Sequence, residues 1–232
     1  MGAPLHTAII IPALNEAQSL PLVLAALNEI QHPSARLSCL VVDNGSTDQT
    51  AEVARKGGAV VVHEARRGYG SACLAGLNHL RQSPPDTVVF LDADYSDHPE
   101  DLSELLQPIL EDKADLVMGD RTELATPGSL MPQQRFGNAL ATRLIAWQTG
   151  HRYRDMGPFR AIRWSAIDAL CMSDPTWGWN VEMQMRAVQH GLRVLEIPVK
   201  YRPRTGHSKI SGTVKGSIRA GGKILWAVWR YR

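Results

Sequence analysis

Short, continuously apolar segments alternate with helical patterns along the first 120 residues. Four of the apolar segments are rich in valine and isoleucine, as strands buried on both faces of a parallel sheet are. A further apolar run at 116–120 predicts a fifth strand. This alternation predicts βαβ units and an α/β fold with a mixed, mostly parallel sheet. The four predicted strands are 7–13, 37–43, 59–63 and 87–92, and the predicted helices are 19–31, 48–57, 70–82 and 99–112.

The pattern changes after Asp120. Residues 121–134 contain two prolines and a glycine, which predicts a loop and a candidate for a mobile lid. Three helices are expected next, then a late strand and a basic loop. The predicted helices are about 134–149, 164–172 and 179–190, and the predicted strand is 192–201.

Polar residues follow three of the predicted strands. Asn15 and Glu16 follow the first, the run 43–46 (Asp-Asn-Gly-Ser) ends the second, and Asp92-Ala93-Asp94 follows the fourth. Ligand sites of open α/β sheets lie at the carboxyl ends of the strands, so these residues are expected to share one site. Asp92 and Asp94 can both face a hard dication, which prefers oxygen ligands. The sequence therefore predicts a Mg²⁺ or Mn²⁺ site that relieves the repulsion between the carboxylates and bridges diphosphate oxygens.

The next three acids, Asp97, Glu100 and Asp101, have a simpler explanation. They precede a predicted helix, and acids near a helix N-terminus interact favourably with the helix dipole. We therefore expect these three to be structural. The polar run 46–48 (Ser-Thr-Asp) is likewise expected to cap the free N–H groups of the second helix.

Two other enzyme classes carry motifs similar to parts of this chain. A phosphatase of the haloacid-dehalogenase type would need a later lysine and an acidic pair, and GDRTEL at 119–124 lacks the second acid. A dinucleotide-binding fingerprint would need a third glycine after the run 68–70 (Gly-Tyr-Gly), where Cys73 stands. The sequence disfavours both classes.

The charge is divided unevenly along the chain, although the net charge is only +2. Residues 1–120 contain 7 Lys and Arg against 17 Asp and Glu, whereas residues 121–232 contain 18 against 6. We interpret this as an acidic half that holds a metal and a basic half that binds anions. The arginines are interleaved with the motifs given below rather than grouped in a recognised module, which argues against nucleic-acid binding.

The composition of the chain also indicates the cellular compartment. No segment approaches the roughly 20 apolar residues that a membrane span needs, and the N-terminus lacks the pattern of a signal peptide. The three cysteines, Cys39, Cys73 and Cys171, are widely separated and show no zinc-ligand spacing. We expect buried cysteines in a reducing compartment, and a cytoplasmic protein.

Nine motifs carry a resemblance to a known family. IIIPALNE, VVDNGSTDQT, RRGYGSA and LDADYS, in this order, resemble the family 2 glycosyltransferases of the GT-A fold. GDR, RFGNALATRL, DMGPFRAI, GWNVEMQMRA and RTGHSKISGT are similar to the branch with the dolichyl-phosphate mannose and glucose synthases. The resemblance implies a metal-dependent, inverting enzyme that moves a hexose from a UDP- or GDP-sugar to polyprenyl phosphate or another lipid acceptor.

The resemblance also implies roles for individual residues. Asp43 would contact the base, and the small residues at 68 and 70 would let the nucleotide approach the backbone. The metal would be held by Asp92 and Asp94. Donor binding would involve Pro12, Ala13, Leu14, Asn15, Glu16, Asp43, Gly45, Gly68, Gly70, Asp92, Ala93 and Asp94. Acceptor or phosphate binding would involve Arg121, Arg135, Arg202, Arg204, Ser208 and Lys209, and catalysis would involve Asp92, Asp94, Glu182, Arg121 and Arg135.

Departures from the branch leave some of these roles open. Ser96 stands where the synthases often carry glutamine, which puts a third protein ligand of the metal in doubt. The basic loop is one residue shorter than in the mannose enzymes, so the choice between Arg202 and Arg204 stays open.

Glu182 has three alternative roles. A phosphate acceptor, with a second pKa of about 6, needs no base, so Glu182 would only orient or exclude acceptors. For a hydroxyl acceptor, on a lipid or a soluble molecule, it would be the candidate base. It could also simply pair with a nearby arginine. A non-catalytic nucleotide-sugar-binding protein is a further alternative for the whole chain.

We expect one transferase domain over 1–211, divided into a nucleotide and metal half (1–120) and an acceptor half (121–211). Residues 212–232 form a basic amphipathic segment. As a helix, this segment would suit an anionic membrane surface, or it would pack on the domain or on a second subunit. Whether the chain forms a homo-oligomer stays open. The basic residues of one helical face are Lys215, Arg219, Lys223 and Arg230, and the apolar residues beside them are Val214, Ile218, Leu225 and Trp229.

Overall fold

The computed structural model describes residues 4–206, 222 and 225–231, which form a seven-stranded sheet with helices on both faces. The strands are β1 Leu5–Ala13, β2 Ala35–Asp43, β3 Val60–His63, β4 Thr87–Phe90, β5 Leu116–Asp120, β6 Arg160–Arg163 and β7 Val194–Pro198. The helices are α1 Leu20–Glu29, α2 Thr50–Lys56, α3 Tyr69–Leu80, α4 Leu102–Leu110, α5 Pro132–Thr149, α6 Trp164–Ala169 and α7 Trp179–Gln189, with a 3-10 turn at Pro99–Asp101 before α4.

The strand order in the sheet is β3-β2-β1-β4-β6-β5-β7. All neighbouring pairs are parallel except those of β6, which runs antiparallel to both β4 and β5. The expected α/β fold with a mostly parallel sheet is confirmed. The carboxyl ends of the other six strands therefore meet at one edge of the sheet.

Two apolar cores lie on opposite faces of the sheet, because successive strand residues point to opposite sides. Ile10 of β1 packs with α3 and α7 on one face, whereas Ile9 and Ile11 pack with α1 and α4 on the other. All three isoleucines are completely buried. The continuous apolar pattern of the central strands thus follows from burial on both faces.

β6 is the strand that the sequence pattern did not predict. It has four residues, of which only Ala161 and Ile162 are apolar, and they lie between two arginines. It forms because β4 and β5 both pair with it, a long-range cause that local periodicity does not contain. Arg160 is completely buried there, and its guanidinium donates to the Gly157 carbonyl.

The start of α2 differs from the expected cap. The helix begins at Thr50, whose N–H donates to Asp48 at 3.0 Å. The other Asp48 oxygen accepts the Ala17 N–H, and the Ser46 hydroxyl accepts the Asn15 N–H. Most of this polar run therefore joins two loops instead of capping the helix.

Only part of the C-terminal segment lies within the described residues. Residues 225–230 are helical; Ala227 and Val228 pack against the core, while the side chains of Leu225, Trp226 and Trp229 are exposed. The boundary at 211 and the calls on Val214, Lys215, Ile218, Arg219 and Lys223 lie outside the described residues and stay predictions. None of the described helices is long and apolar enough to cross a membrane.

Candidate active site

The loops after β1 and β2 are joined by hydrogen bonds into one wall of the candidate site. Asn15 has a left-handed backbone (φ 52°), its N–H donates to the Ser46 hydroxyl at 2.9 Å, and its side-chain oxygen accepts the Thr47 N–H at 2.7 Å. The Glu16 N–H donates to the Thr50 hydroxyl at 2.8 Å. The wall is therefore rigid at the carboxyl edge of the sheet. The other donor residues expected here, Pro12, Ala13 and Leu14, lead into it from the end of β1.

Asp43, at the end of β2, is buried with both carboxylate oxygens in use. One accepts the Ser46 N–H at 3.0 Å across the turn in which Gly45 has φ 79°, and the other lies 3.0 Å from Nδ1 of His63. Nε2 of His63 lies 3.0 Å from the Arg55 guanidinium, which can only donate. The ring therefore carries its proton on Nδ1 and donates it to Asp43. His63 and Arg55, which the motifs did not indicate, hold this carboxylate in place.

Gly68 and Gly70 are in close contact with the loop before α7. A Cβ at Gly68 would lie 2.1 Å from the Pro175 carbonyl oxygen, and one at Gly70 would lie 1.9 Å from the Asp174 carbonyl oxygen. Gly68 also has φ 145°, a conformation that favours glycine. The expected close approach of a nucleotide is therefore not needed to explain these glycines, since the chain itself approaches them.

Gly70→Ala is expected to destabilise the fold by about 3 kcal/mol, because the added methyl group would overlap a backbone carbonyl. Gly137→Ala is the matched control, since this helical glycine has no atom within 4 Å of the added carbon. Helix propensity predicts that the control gains up to about 1 kcal/mol. Urea denaturation measures both changes, and wild-type stability of Gly70→Ala would contradict the observed packing.

Asp92 and Asp94 lie directly beyond β4. Asp94 is buried; one of its oxygens accepts the Ser96 N–H at 2.9 Å and the Ser96 hydroxyl at 2.5 Å, and the other lies 2.6 Å from the Arg204 guanidinium. Burial, together with the charge of Asp94, raises the pKa of Asp92 to about 7. A cation bound between the two carboxylates would remove this cost. Ser96, at the position of the glutamine of the related synthases, orients Asp94.

The basic segment after β7 runs antiparallel beside this Asp-x-Asp motif. Backbone N–H groups at positions 202 and 205 donate to carbonyl oxygens at 96 and 94, each at 2.9 Å, and residues 97 and 201 form a β-bridge. The pairing brings Arg204 to Asp94 and places Arg202 over the Tyr95 ring, 3.8 Å from its centroid. Arg204 is therefore the arginine of the pair that contacts the motif. Ser208 and Lys209 lie outside the described residues.

Asp97 differs from the expected helix-terminal acid. It is buried, and within the described part of the chain neither carboxylate oxygen has a hydrogen-bond partner. Burial and the nearby charge of Asp92 raise the pKa of Asp97 well above its ordinary value. Asp101 is also buried and accepts the Lys200 N–H at 2.7 Å, whereas Glu100 is exposed. Glu100 and Asp101 thus lie in the first turn before α4, as expected, whereas Asp97 does not.

Asp97→Asn is expected to stabilise the metal-free protein increasingly as the pH rises. The folded chain keeps the Asp97 proton above the pH at which the unfolded chain releases it, so the wild type loses up to about 1.4 kcal/mol per pH unit over that range. Asparagine removes this loss. Urea denaturation in EDTA from pH 5 to pH 8 measures the difference. A pH-independent difference would mean that Asp97 ionises as an ordinary aspartate does.

Arg121 is held by an acid that the residue assignments did not include. Its side chain donates to both carboxylate oxygens of Asp155, at 2.7 and 2.9 Å, and its backbone N–H donates to one of them at 3.0 Å. Burial alone would raise the pKa of Asp155, but Arg121 outweighs burial and holds it below its ordinary value. The signal was present in the sequence, since Asp155 opens the motif DMGPFRAI. Asp155 therefore orients Arg121.

A cavity of about 450 Å³ opens between the loop 121–130 and the first part of α5. Its lining includes one acid, Asp155, and four arginines. Two of the arginines are compensated, Arg121 by Asp155 and Arg154 by Glu123 at 2.9 Å. The other two pair with no carboxylate among the described residues. The cavity therefore suits an anion. Its arginines are Arg121, Arg135, Arg143 and Arg154.

Glu182 lies in the interior at the start of α7, and protein donors engage both of its oxygens. It accepts the Ser173 hydroxyl and the Asp174 N–H, each at 2.7 Å, and pairs with Arg186 at 3.0 Å. Its side chain is not accessible to solvent. Glu182 thus anchors the loop that packs against Gly70, which favours a positioning role over that of a base.

Residues 8–170 match the family model of glycosyl transferase family 2. The chain belongs to this family. The transferase is 42% identical over 217 residues to an uncharacterized glycosyltransferase of Mycobacterium tuberculosis (strain H37Rv), covering 91% of this chain and 93% of the relative. It is 33% identical over 228 residues to the undecaprenyl-phosphate mannosyltransferase of Micrococcus luteus, covering 89% and 88%. The expected resemblance to the polyprenyl-phosphate branch is confirmed, and the protein is a glycosyltransferase that uses a nucleotide sugar.

A solved structure confirms the GT-A fold of the transferase. Glucosyl-3-phosphoglycerate synthase from M. tuberculosis, in a complex with Mn²⁺, UDP and glucosyl-3-phosphoglycerate, superimposes with a TM-score of 0.75. The match covers 98% of this chain and 80% of the synthase. At 19% sequence identity, this likeness concerns the fold alone.

The transferase offers few protein ligands to a metal ion. Within the residues that the structure describes, no group of three or more His, Cys, Asp and Glu side chains is placed to hold one. Magnesium is commonly bound by one or two carboxylates together with substrate phosphates. Asp92 and Asp94 fit an ion of this kind, which would bind with a diphosphate.

Proposed function

We propose that this glycosyltransferase moves a hexose from a nucleotide-diphosphate sugar to the phosphate of a polyprenyl lipid, with inversion, using Mg²⁺ or Mn²⁺. The observation that carries the proposal is the arginine-lined cavity next to the Asp-x-Asp motif. Arg121 and Tyr201 connect the two. Arg121 lines the cavity, and its guanidinium lies 4.9 Å from the centroid of the Tyr201 ring. The backbone of Tyr201 in turn forms a β-bridge with Asp97. The name of the M. luteus relative supports this class of acceptor.

The donor base would lie against the wall formed by the loops after β1 and β2. Asp43 has a fixed orientation there, and its free lone pairs would accept an N–H group of the base. Both uracil and guanine carry such a group, so either a UDP- or a GDP-hexose fits this interaction.

The donor diphosphate would lie at Asp92 and Asp94, with the metal ion between them. When bound, the ion would stabilise the charge that develops on the leaving diphosphate. Arg204 is already 2.6 Å from Asp94, so its guanidinium would lie beside the same phosphates and add a second positive charge.

The acceptor phosphate would bind in the cavity, at Arg121 and Arg135. One of its oxygens would form the bond to the anomeric carbon as the bond to the donor diphosphate breaks. A phosphate monoester, with a second pKa of about 6, is largely ionised at neutral pH, so no base has to remove a proton. The buried, fully hydrogen-bonded Glu182 is consistent with such a reaction.

We further propose that the protein contacts a membrane surface peripherally. The outer face of α5, formed by Phe136, Leu140, Arg143 and Trp147, leaves Phe136 72% and Trp147 80% exposed. Trp226 and Trp229 of the C-terminal helix are also exposed. Aromatic side chains next to basic ones are typical of helices that lie at a membrane interface.

Donor consumption tests the proposed reaction. Purified protein with Mn²⁺ or Mg²⁺ is incubated with a panel of UDP- and GDP-hexoses, with polyprenyl phosphate, with the corresponding polyprenol, or with no acceptor. Released nucleoside diphosphate and organic-phase sugar are measured. We expect metal-dependent release with one donor that requires the phosphate and moves sugar into the organic phase.

Two results would contradict the proposal. Turnover with the polyprenol but not with its phosphate would assign the cavity to another group and make a hydroxyl the acceptor. Metal-dependent donor binding without turnover on any acceptor would favour a nucleotide-sugar-binding protein.

A further inference from the structure

A second cationic cleft lies beside the arginine-lined cavity, at the carboxyl end of α5. It has a volume of about 590 Å³ and contains two arginines, Arg143 and Arg152, from different elements. No acid is among its lining residues, and within the described ranges neither arginine pairs with a carboxylate. The remaining lining residues are Thr142, Ala146, Trp147, Gly150 and Tyr153.

The carboxyl end of a helix carries partial negative charge and does not itself attract anions. Gly150 ends α5 in a left-handed conformation (φ 75°), and its N–H donates to the Ala146 carbonyl at 2.9 Å. The positive charge of the cleft therefore comes from the two guanidinium groups. Guanidinium groups bind phosphate oxygens in a bidentate manner, as they also bind carboxylates, so a phosphate group suits the cleft.

The cleft and the cavity share Thr142 and Arg143, so they open next to each other along α5. If the cavity receives the phosphate of a lipid, that phosphate lies in the headgroup plane of the bilayer. A cleft beside it then meets the phosphates of neighbouring lipids. Trp147, at the edge of the cleft and 80% exposed, would lie in the same interfacial layer.

We infer that the cleft formed by Arg143, Trp147 and Arg152 binds the phosphate headgroup of an anionic phospholipid, separately from the lipid acceptor. The inference rests on the proposed lipid acceptor and extends it. It assigns part of the membrane contact to a defined site, rather than to the diffuse positive charge of residues 121–232.

Vesicle co-sedimentation of the full chain, without donor or acceptor, tests the cleft. The vesicles contain either neutral phosphatidylcholine or phosphatidylcholine with phosphatidylglycerol. We expect binding that depends on phosphatidylglycerol and that is about 30-fold weaker in Arg143→Ala/Arg152→Ala, as expected for two basic residues at the membrane surface. Arg143→Lys/Arg152→Lys keeps the charge but loses the fork, and should retain only part of the affinity.

Arg36→Ala/Lys56→Ala is the matched control, because it removes the same charge from exposed positions in the other half of the chain. It should change the affinity less than about threefold. Equal losses in the control and in the cleft variant would mean diffuse attraction and would overturn the site. Wild-type binding by the cleft variant, with loss on deletion of 212–232, would assign the contact to the tail instead.

Inorganic phosphate distinguishes a headgroup from a free anion. Its stabilising effect on thermal unfolding is measured for the wild type and the cleft variant. A strong effect that the variant abolishes, without binding of either to the vesicles, would make the cleft a site for soluble phosphates and overturn the lipid assignment. Turnover of the wild type on a short-chain, water-soluble prenyl phosphate, measured without vesicles, tests the proposed reaction alone. A failure of the headgroup site can therefore be distinguished from a failure of the proposed reaction.

Discussion

Asp94→Asn is expected to lower kcat/KM by about 10³-fold while the protein stays folded. The carboxylate is one of two oxygen donors near the proposed diphosphate, and asparagine supplies no negative charge to hold a dication. The variant also loses the ion pair with Arg204, which lies 2.6 Å from Asp94. Donor consumption as a function of Mn²⁺ concentration should show a lower maximal rate and a weaker apparent metal affinity.

Glu100→Gln is the matched control, because it neutralises an acid of the same run that is exposed. It should retain nearly wild-type rates and the wild-type Mn²⁺ dependence. Far-UV circular dichroism of both variants checks that the fold is kept. If Asp94→Asn reached wild-type rates at saturating Mn²⁺, the metal and the diphosphate would not meet at this motif.

The edge of the sheet at which the site lies could be predicted from the sequence. Continuous apolar runs predict buried parallel strands, and their carboxyl ends must meet at one edge. Asn15, Asp43 and Asp92, which end or follow different strands, do lie at that edge. This inference needs only the strand pattern, so it does not depend on any long-range contact.

The burial and hydrogen bonding of each carboxylate could not be predicted in the same way. Among the described residues Asp97 has no hydrogen-bond partner, and it forms a β-bridge with residue 201. Glu182 is buried, and the loop at 173–174 donates hydrogen bonds to it. In both cases the residues that contact the acid are not its neighbours in the sequence. An acid expected near a helix N-terminus and an acid considered as a candidate base thus become a buried carboxyl group and a structural anchor.

The glycines at 68 and 70 show the same limitation. Their conformational freedom suggested a loop that a ligand approaches, but the approaching atoms belong to residues 174 and 175, more than a hundred positions later in the chain. A glycine indicates that something comes close to the backbone. It does not indicate whether the neighbour is a ligand or the protein.

Asp155→Asn is expected to destabilise the protein by about 3–5 kcal/mol, because it leaves the Arg121 guanidinium buried beside a neutral partner. Both side chains are largely inaccessible, and the pair makes two hydrogen bonds of 2.7 and 2.9 Å. Asp112→Asn is the matched control. This acid also pairs with arginine, but its side chain is 78% exposed, so urea denaturation should show a much smaller loss than for Asp155→Asn.

The double variant Arg121→Met/Asp155→Asn separates stability from function. Removing the uncompensated charge should restore much of the stability lost in Asp155→Asn, because the effects of contacting residues are not additive. Turnover should stay low in both variants, since the cavity has lost the guanidinium proposed to bind the acceptor phosphate. A double variant that recovers turnover together with stability would show that Arg121 acts only through the fold, and the acceptor site would then have to depend on Arg135.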